Sequence, residues 1–167
     1  MASATSADKG VRGAEKKEAF HRGAEDGITP FSYKRPDADI GAKRTHVYLG
    51  HSDIVTASVQ IYPKSGGNVM HYHPGADGFW MVLKGRMRFH GPDGVIGEYG
   101  PQEGVLMPRN ARYWFESALE DEETHLLHVN CDTQEKIQNP SIIVDDRPFE
   151  RGNTLKFNYP EGFKGGN

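Results

Sequence analysis

Gly67-Asn68-Val69-Met70-His71-Tyr72-His73-Pro74, followed by Trp80-Met81-Val82-Leu83-Lys84-Gly85, is the stretch from which the fold can be read. It joins two histidines two residues apart, a proline-glycine turn and an apolar run closed by Lys84-Gly85, which is the pattern of short strands between tight turns. The pattern continues on both sides. Strand-like runs lie at 45–49, 54–62, 68–73, 79–83, 86–90, 104–107, 113–116 and 124–130. Turn formers separate them: Pro63-Lys64-Ser65-Gly66-Gly67, Pro74-Gly75-Ala76-Asp77-Gly78, Gly91-Pro92-Asp93-Gly94 and Pro108-Arg109-Asn110. Short strands at this spacing predict an all-β sandwich or barrel, and 141–144 adds a candidate edge strand.

The 167 residues suffice for one domain with a core of its own. Residues 1–27 are charged, glycine-broken and poor in apolar side chains, so a mobile tail is expected there, with one helical turn around 14–20. The barrel domain is expected over 28–150 and a loose C-terminal extension over 151–167. A net charge of -3 without a basic cluster argues against nucleic acid as a partner. The sequence shows neither a membrane span nor a secretory signal, so a cytoplasmic location is expected. Cys131, the single cysteine, reads as a small buried hydrophobe.

Period two puts the imidazoles of His71 and His73 on one face of a strand, roughly 7 Å apart at the backbone, so their tips can converge on one ion. Imidazole suits iron, zinc and nickel, although such a pair also occurs on solvated strand faces. Trp80, Val82 and Phe115 have inward parity and are candidate walls of a substrate pocket; core packing is the plainer alternative. Trp114 should face the other way. His125 and His128 have opposite parity, so a regular strand turns only one of them inward. His46, His51, His90 and His21 show no metal-like spacing and are assigned no chemistry. Arg109 and Arg112 flank a turn where they could meet a carboxylate.

The quoted stretch resembles the first motif of the cupin superfamily. A second stretch, Gly100-Pro101-Gln102-Glu103-Gly104-Val105-Leu106-Met107-Pro108-Arg109-Asn110 followed by Ala111-Arg112-Tyr113-Trp114-Phe115-Glu116, resembles the second. The likeness spans about residues 45–132 and implies a single antiparallel jelly-roll barrel with His71 and His73 as metal ligands. It also places Gly78 where cupins usually carry a glutamate ligand and Tyr113 where they carry a third histidine. His128, on a strand that in cupins runs beside the metal, Asp77, and Tyr113 as a direct ligand are the candidates to complete the site. Tyr113 is the candidate catalytic acid or base.

What the resemblance implies for function is a metal-dependent enzyme with one divalent transition metal (Fe, Zn, Mn or Ni), acting on a small organic molecule, with oxygenase chemistry favoured; the aromatic and apolar bowl of Trp80, Val82 and Phe115 suits an aromatic or polyketide-like substrate. The alternatives are a metal-free cupin that binds a small ligand, and an isomerase, cyclase or lyase using Tyr113 as acid or base. Homodimerisation is expected, with the 45–49 strand and its leader reaching a neighbour.

Overall fold

The computed structural model describes residues 6–41, 43–133, 141–145 and 154–158. The chain divides into two compact units, Met1–Pro30 and Phe31–Asn167.

In the first unit helix α1 spans Ser6–Glu25, well beyond the single turn expected around 14–20. Its described side chains are all exposed, so it forms on local propensity: Ala-Glu-Lys-Lys-Glu-Ala at 14–19 are good helix formers. Glu18 and Arg22 add an i,i+4 ion pair at 2.9 Å. Reading the tail for hydrophobic burial alone overlooked this.

The second unit is built of strands: β1 Thr45–His51, β2 Val55–Tyr62, β3 His71–Tyr72, β4 Ala76–Lys84, β5 Met87–Gly91, β6 Gly94–Tyr99, β7 Gly104–Met107, β8 Trp114–Ser117, β9 Thr124–Asp132, β10 Ile142–Ile143 and β11 Leu155–Asn158. Six form one sheet in the order β11-β1-β2-β9-β4-β7; β6-β5-β8 and β10-β3 form two smaller ones. Isolated bridges Gly67↔Glu116 and His71↔Tyr113 tie the β3 segment to β8. The architecture is thus all-β, as expected, but the ladders among the described residues do not close into one continuous barrel.

Two strands went unread. β6 follows the Pro92-Asp93 turn at once, and its Gly94 and Gly97 hide the alternation. β11 lies in the stretch taken for a loose extension, yet it pairs in parallel with β1. The 45–51 strand therefore has a neighbour on both sides.

The large sheet is buried on both faces, which is why Val59, Gln60, Ile61 and Tyr62 are consecutive buried residues. Its inner face, with the smaller sheets, encloses Tyr62, Trp80, Val82, Met87, Phe89, Tyr113, Phe115 and Leu126. Its outer face carries Val47, Leu49, Val59 and Ile61, against which Tyr33 and Ile40 from the segment before β1 pack. That strap is pinned by polar contacts. Tyr33 Oη lies 2.8 Å from His125 Nδ1, His125 Nε2 2.8 Å from Glu123 Oε1, and Arg35 Nε 2.7 Å from the same oxygen. Cys131 is exposed, contrary to expectation, because it sits on this outer face opposite Val55 and Asp77 near the strand ends, beyond the apolar cluster.

Candidate functional site

His71 and Tyr113 exchange both backbone hydrogen bonds, each N–H to the other's carbonyl at 3.0 Å, so they stand directly opposite across the β3–β8 junction. Their rings are 4.5 Å apart between centroids. His73 lies 5.1 Å from the His71 ring and 6.3 Å from that of Tyr113. Val69 supplies the local constraint: its carbonyl, 2.8 Å from His71 Nδ1, can only accept, so Nδ1 carries the proton and Nε2 keeps its lone pair.

From the large sheet His128 approaches the same space. It stacks on Trp80 with centroids 3.7 Å apart and planes 5° from parallel. Parity sends His128 inward and His125 outward to Tyr33, as the alternation requires. Tyr62 Oη donates to Gln60 Oε1 at 2.8 Å, and Gln60 Nε2 donates to His128 Nδ1 at 3.3 Å. With Nδ1 accepting, the proton of neutral His128 resides on Nε2.

His46 belongs to this group and was missed. Its register partner is Gln60, which places it on the inner face, and its buried Nε2 has no hydrogen-bond partner. No spacing rule links residue 46 to 71, 73 and 128; the signal was the even parity shared by His46, Tyr48, Ser58, Gln60 and Tyr62 in neighbouring strands.

Electrostatics keep His71, His128 and His46 uncharged. Burial depresses His71 to about 4 against the pull of the Val69 carbonyl, with the charges of His73 and Arg44 acting in the same direction as burial. Burial also brings His128 to about 3, aided by His73, His46 and His71, and His46 to about 3, aided by Arg44 and Lys156. The Tyr113 phenol is pushed up by burial, slightly offset by the Trp80 indole N–H, which is near it without making a hydrogen bond of ordinary geometry. At neutral pH His71, His128 and His46 are therefore neutral and the Tyr113 phenol is protonated.

Trp80, Val82 and Phe115 do turn inward, but Val82 and Phe115 have no exposed surface and Trp80 only 3%. They form the layer beneath the polar cluster instead of walls open to a ligand. Trp114 faces outward, stacked on His90 at 3.8 Å. Arg109 and Arg112 are exposed. Asp77 is exposed as well, and its Oδ1 accepts from the Arg109 backbone N–H at 2.8 Å, so it serves the 108–110 turn and not the histidines.

A protein-held metal centre needs three convergent donors at least, and among the described residues no three of His, Cys, Asp and Glu are so grouped. The reasons are visible. A Cβ at Gly78 would stand 3.5 Å from His128 Nε2 and 3.4 Å from Trp80 Nε1, so the stacked pair fills the space into which a carboxylate at this position would extend. His128 itself turns a protonated nitrogen, not a lone pair, to that side. Among the described residues the donor set, two imidazoles and a raised phenol, does not fit a resident ion held by the protein alone.

Residues 58–130 match the family model described as Cupin domain. Among solved structures, a conserved protein with a double-stranded β-helix domain from Klebsiella pneumoniae is 14% identical, covering 68% of this chain and 89% of the other with a TM-score of 0.54. KdgF from Halomonas sp. is 12% identical over 66% of this chain and 100% of its own, with a TM-score of 0.53. The cupin domain of Schizosaccharomyces pombe Cnp3 is 13% identical over 61% and 74%, also at 0.53. No curated protein matches the sequence. At these identities the structures speak for the fold alone. No helix among the described residues is long and apolar enough to cross a membrane.

Proposed function

We propose, for a chain that belongs to the cupin superfamily, that the inner face is a small-molecule site in which His71 and Tyr113 act as an uncharged acid–base pair. The reaction class is proton transfer next to a carbonyl group, as in an isomerase or lyase. The observation that carries this reading is the direct pairing of His71 with Tyr113 while one is neutral and the other protonated. Nε2 of His71 is free to take a proton, and the phenol is able to donate a hydrogen bond to the oxygen on which negative charge develops. A base held near 4 is weak, but it is fully unprotonated at neutral pH.

Metal-dependent oxygenase chemistry is the second reading, favoured by the Val69 carbonyl, which fixes the His71 tautomer as second-shell partners fix ligating histidines. It would leave His71 and His73 as the only imidazole donors, with the remaining positions filled by ligand or water.

One experiment separates the two. Untagged protein is incubated in D2O with a panel of small ketones and hydroxyketones, and exchange at the carbon next to the carbonyl is followed by NMR. Exchange that survives chelator treatment and falls at least about 100-fold in Tyr113→Phe supports the acid–base reading. Exchange or turnover that needs an added metal ion supports the second, and no exchange with any compound refutes the first.

A further inference from the structure

β7 is the end strand of the large sheet, and among the described residues β4 is the one strand it pairs with. Val82 of β4 bonds to the bulge that leads into β7: its N–H donates to the Glu103 carbonyl at 2.9 Å, and its carbonyl accepts from the Gln102 N–H at 2.8 Å. Bonded pairs alternate in an antiparallel ladder, so Trp80 with Val105 and Gly78 with Met107 come next. Leu106 lies between them and turns its own N–H and C=O away from β4, toward the edge.

Edge strands are commonly guarded by charge, and β11 at the far end of the sheet carries Lys156. β7 reads Gly-Val-Leu-Met and carries none. Leu106 is 67% exposed, and Phe79, its register partner on the outer face, is 43% exposed. Val129, the partner of Phe79 in β9, continues the apolar strip.

We propose that this edge joins two copies of the chain, β7 running antiparallel to the partner's β7 about a two-fold axis at Leu106. The outward N–H and C=O of Leu106 then bond to those of the partner's Leu106, and Phe79 and Leu106 of both copies form one apolar strip on the outer face. Facing residues share a side of a sheet, which leaves a register centred on Val105 as the neighbouring alternative. Charge selects between them. Centred on Leu106, the pairing brings exposed Arg109 opposite the partner's Glu103, and the two-fold axis repeats the match at the other end. Centred on Val105, it would set Arg109 against the partner's Pro101. Pro108, which has no N–H, ends the pairing on each side, and a contact of like with like closes as a dimer instead of growing into a fibre.

Sedimentation velocity on the full-length protein tests this. The contact is short, so a monomer–dimer equilibrium is expected between about 1 and 500 μM, with the Leu106 amide exchanging at least about tenfold more slowly at the upper concentration. Leu106→Lys sets two ammonium groups face to face and should weaken association at least about 100-fold. Arg109→Glu should weaken it about tenfold, and adding Glu103→Arg to that variant should restore most of the loss. Glu103 also accepts the Gly100 N–H at 2.8 Å, so circular dichroism checks each fold, and if the double variant does not fold, Leu106→Lys and Arg109→Glu decide. A monomer at every concentration, or a dimer as tight in Leu106→Lys as in the unaltered chain, overturns the proposal. Association lost in Leu106→Lys but untouched by Arg109→Glu overturns the register.

Discussion

Trp80 and His128 lie face to face, 3.7 Å apart and 5° from parallel, over the Cα of Gly78. The stack occupies the place a longer side chain at residue 78 would need, and it ties the tryptophan of β4 to the histidine of β9, its partner in the strand register. A methyl group at 78 would make ordinary contacts at 3.4 and 3.5 Å, so Gly78→Ala should change stability by less than about 1 kcal/mol. Gly78→Glu must push the stack apart and should cost about 2 kcal/mol or more. Urea titration of both variants checks this; equal stability would mean that the stack yields freely.

Gly104 is under a harder constraint, because a Cβ there would run into the Trp80 backbone carbonyl. Gly104→Ala should therefore unpair β7 from β4, with rapid amide exchange at Met81 and Leu106 and a loss of several kcal/mol, on the order of 2–4. Retained exchange protection in β7 would count against so close an approach.

Acid should destabilise the fold in two stages. His71, His46 and His128 have folded pKa values of about 4, 3 and 3 against 6.5 in the free side chain, so the unfolded chain binds protons that the folded one refuses. Stability is then full above about pH 6.5 and falls as pH drops toward 4. Glu123, held at about 2 by Arg35 and His125, adds a second loss between about pH 4.5 and 2. Unfolding free energies from urea melts between pH 7.5 and 4.5 check the first stage, and a flat profile there would mean that the histidines are solvated.

Tyr33→Phe removes the hydroxyl bonded to buried His125 while keeping the ring in the outer cluster. The expected cost is about 1–2 kcal/mol, with faster amide exchange along residues 31–40 and none of that effect at His71. Limited proteolysis or exchange mass spectrometry reports it, and an unchanged strap would show that apolar packing alone holds it.

Tyr113→Phe should leave stability within about 1 kcal/mol, since the Trp80 indole N–H beside the hydroxyl makes no hydrogen bond of ordinary geometry to it, whereas Tyr113→Ala opens a cavity and should cost about 3–5 kcal/mol. Thermal melts of the two variants separate the ring's packing from the hydroxyl's chemistry.

The strand pattern made much of this legible beforehand. The turns at 63–67, 74–78 and 108–110 and the alternation through His71-Tyr72-His73 sufficed for the all-β class, whereas the expectation that Tyr113 faces His71 and His73 came from the resemblance to the cupin motifs and not from the strand pattern. Val59 to Tyr62 could not be assigned to faces from pattern alone, because both sides of β2 are covered and alternation vanishes where no side is polar. His46 was invisible for a related reason: its place depends on the register of β1 against β2, and spacing along one strand carries no such information. The helix at Ser6–Glu25 has no apolar stripe to detect.

The pairing of β1 with β11 bears on how the chain is made. Thr45 finds Leu155 only after the intervening sequence has been laid down, and His46 sits in the same ladder beside Lys156. Until residues 155–158 have emerged, β1 has one neighbour and an open edge, and the strand that supports His46 is half-supported. Contacts of such sequence separation close slowly, so the β1 side of the native site assembles late, with the cell's chaperones the natural guard over the open edge in the interval.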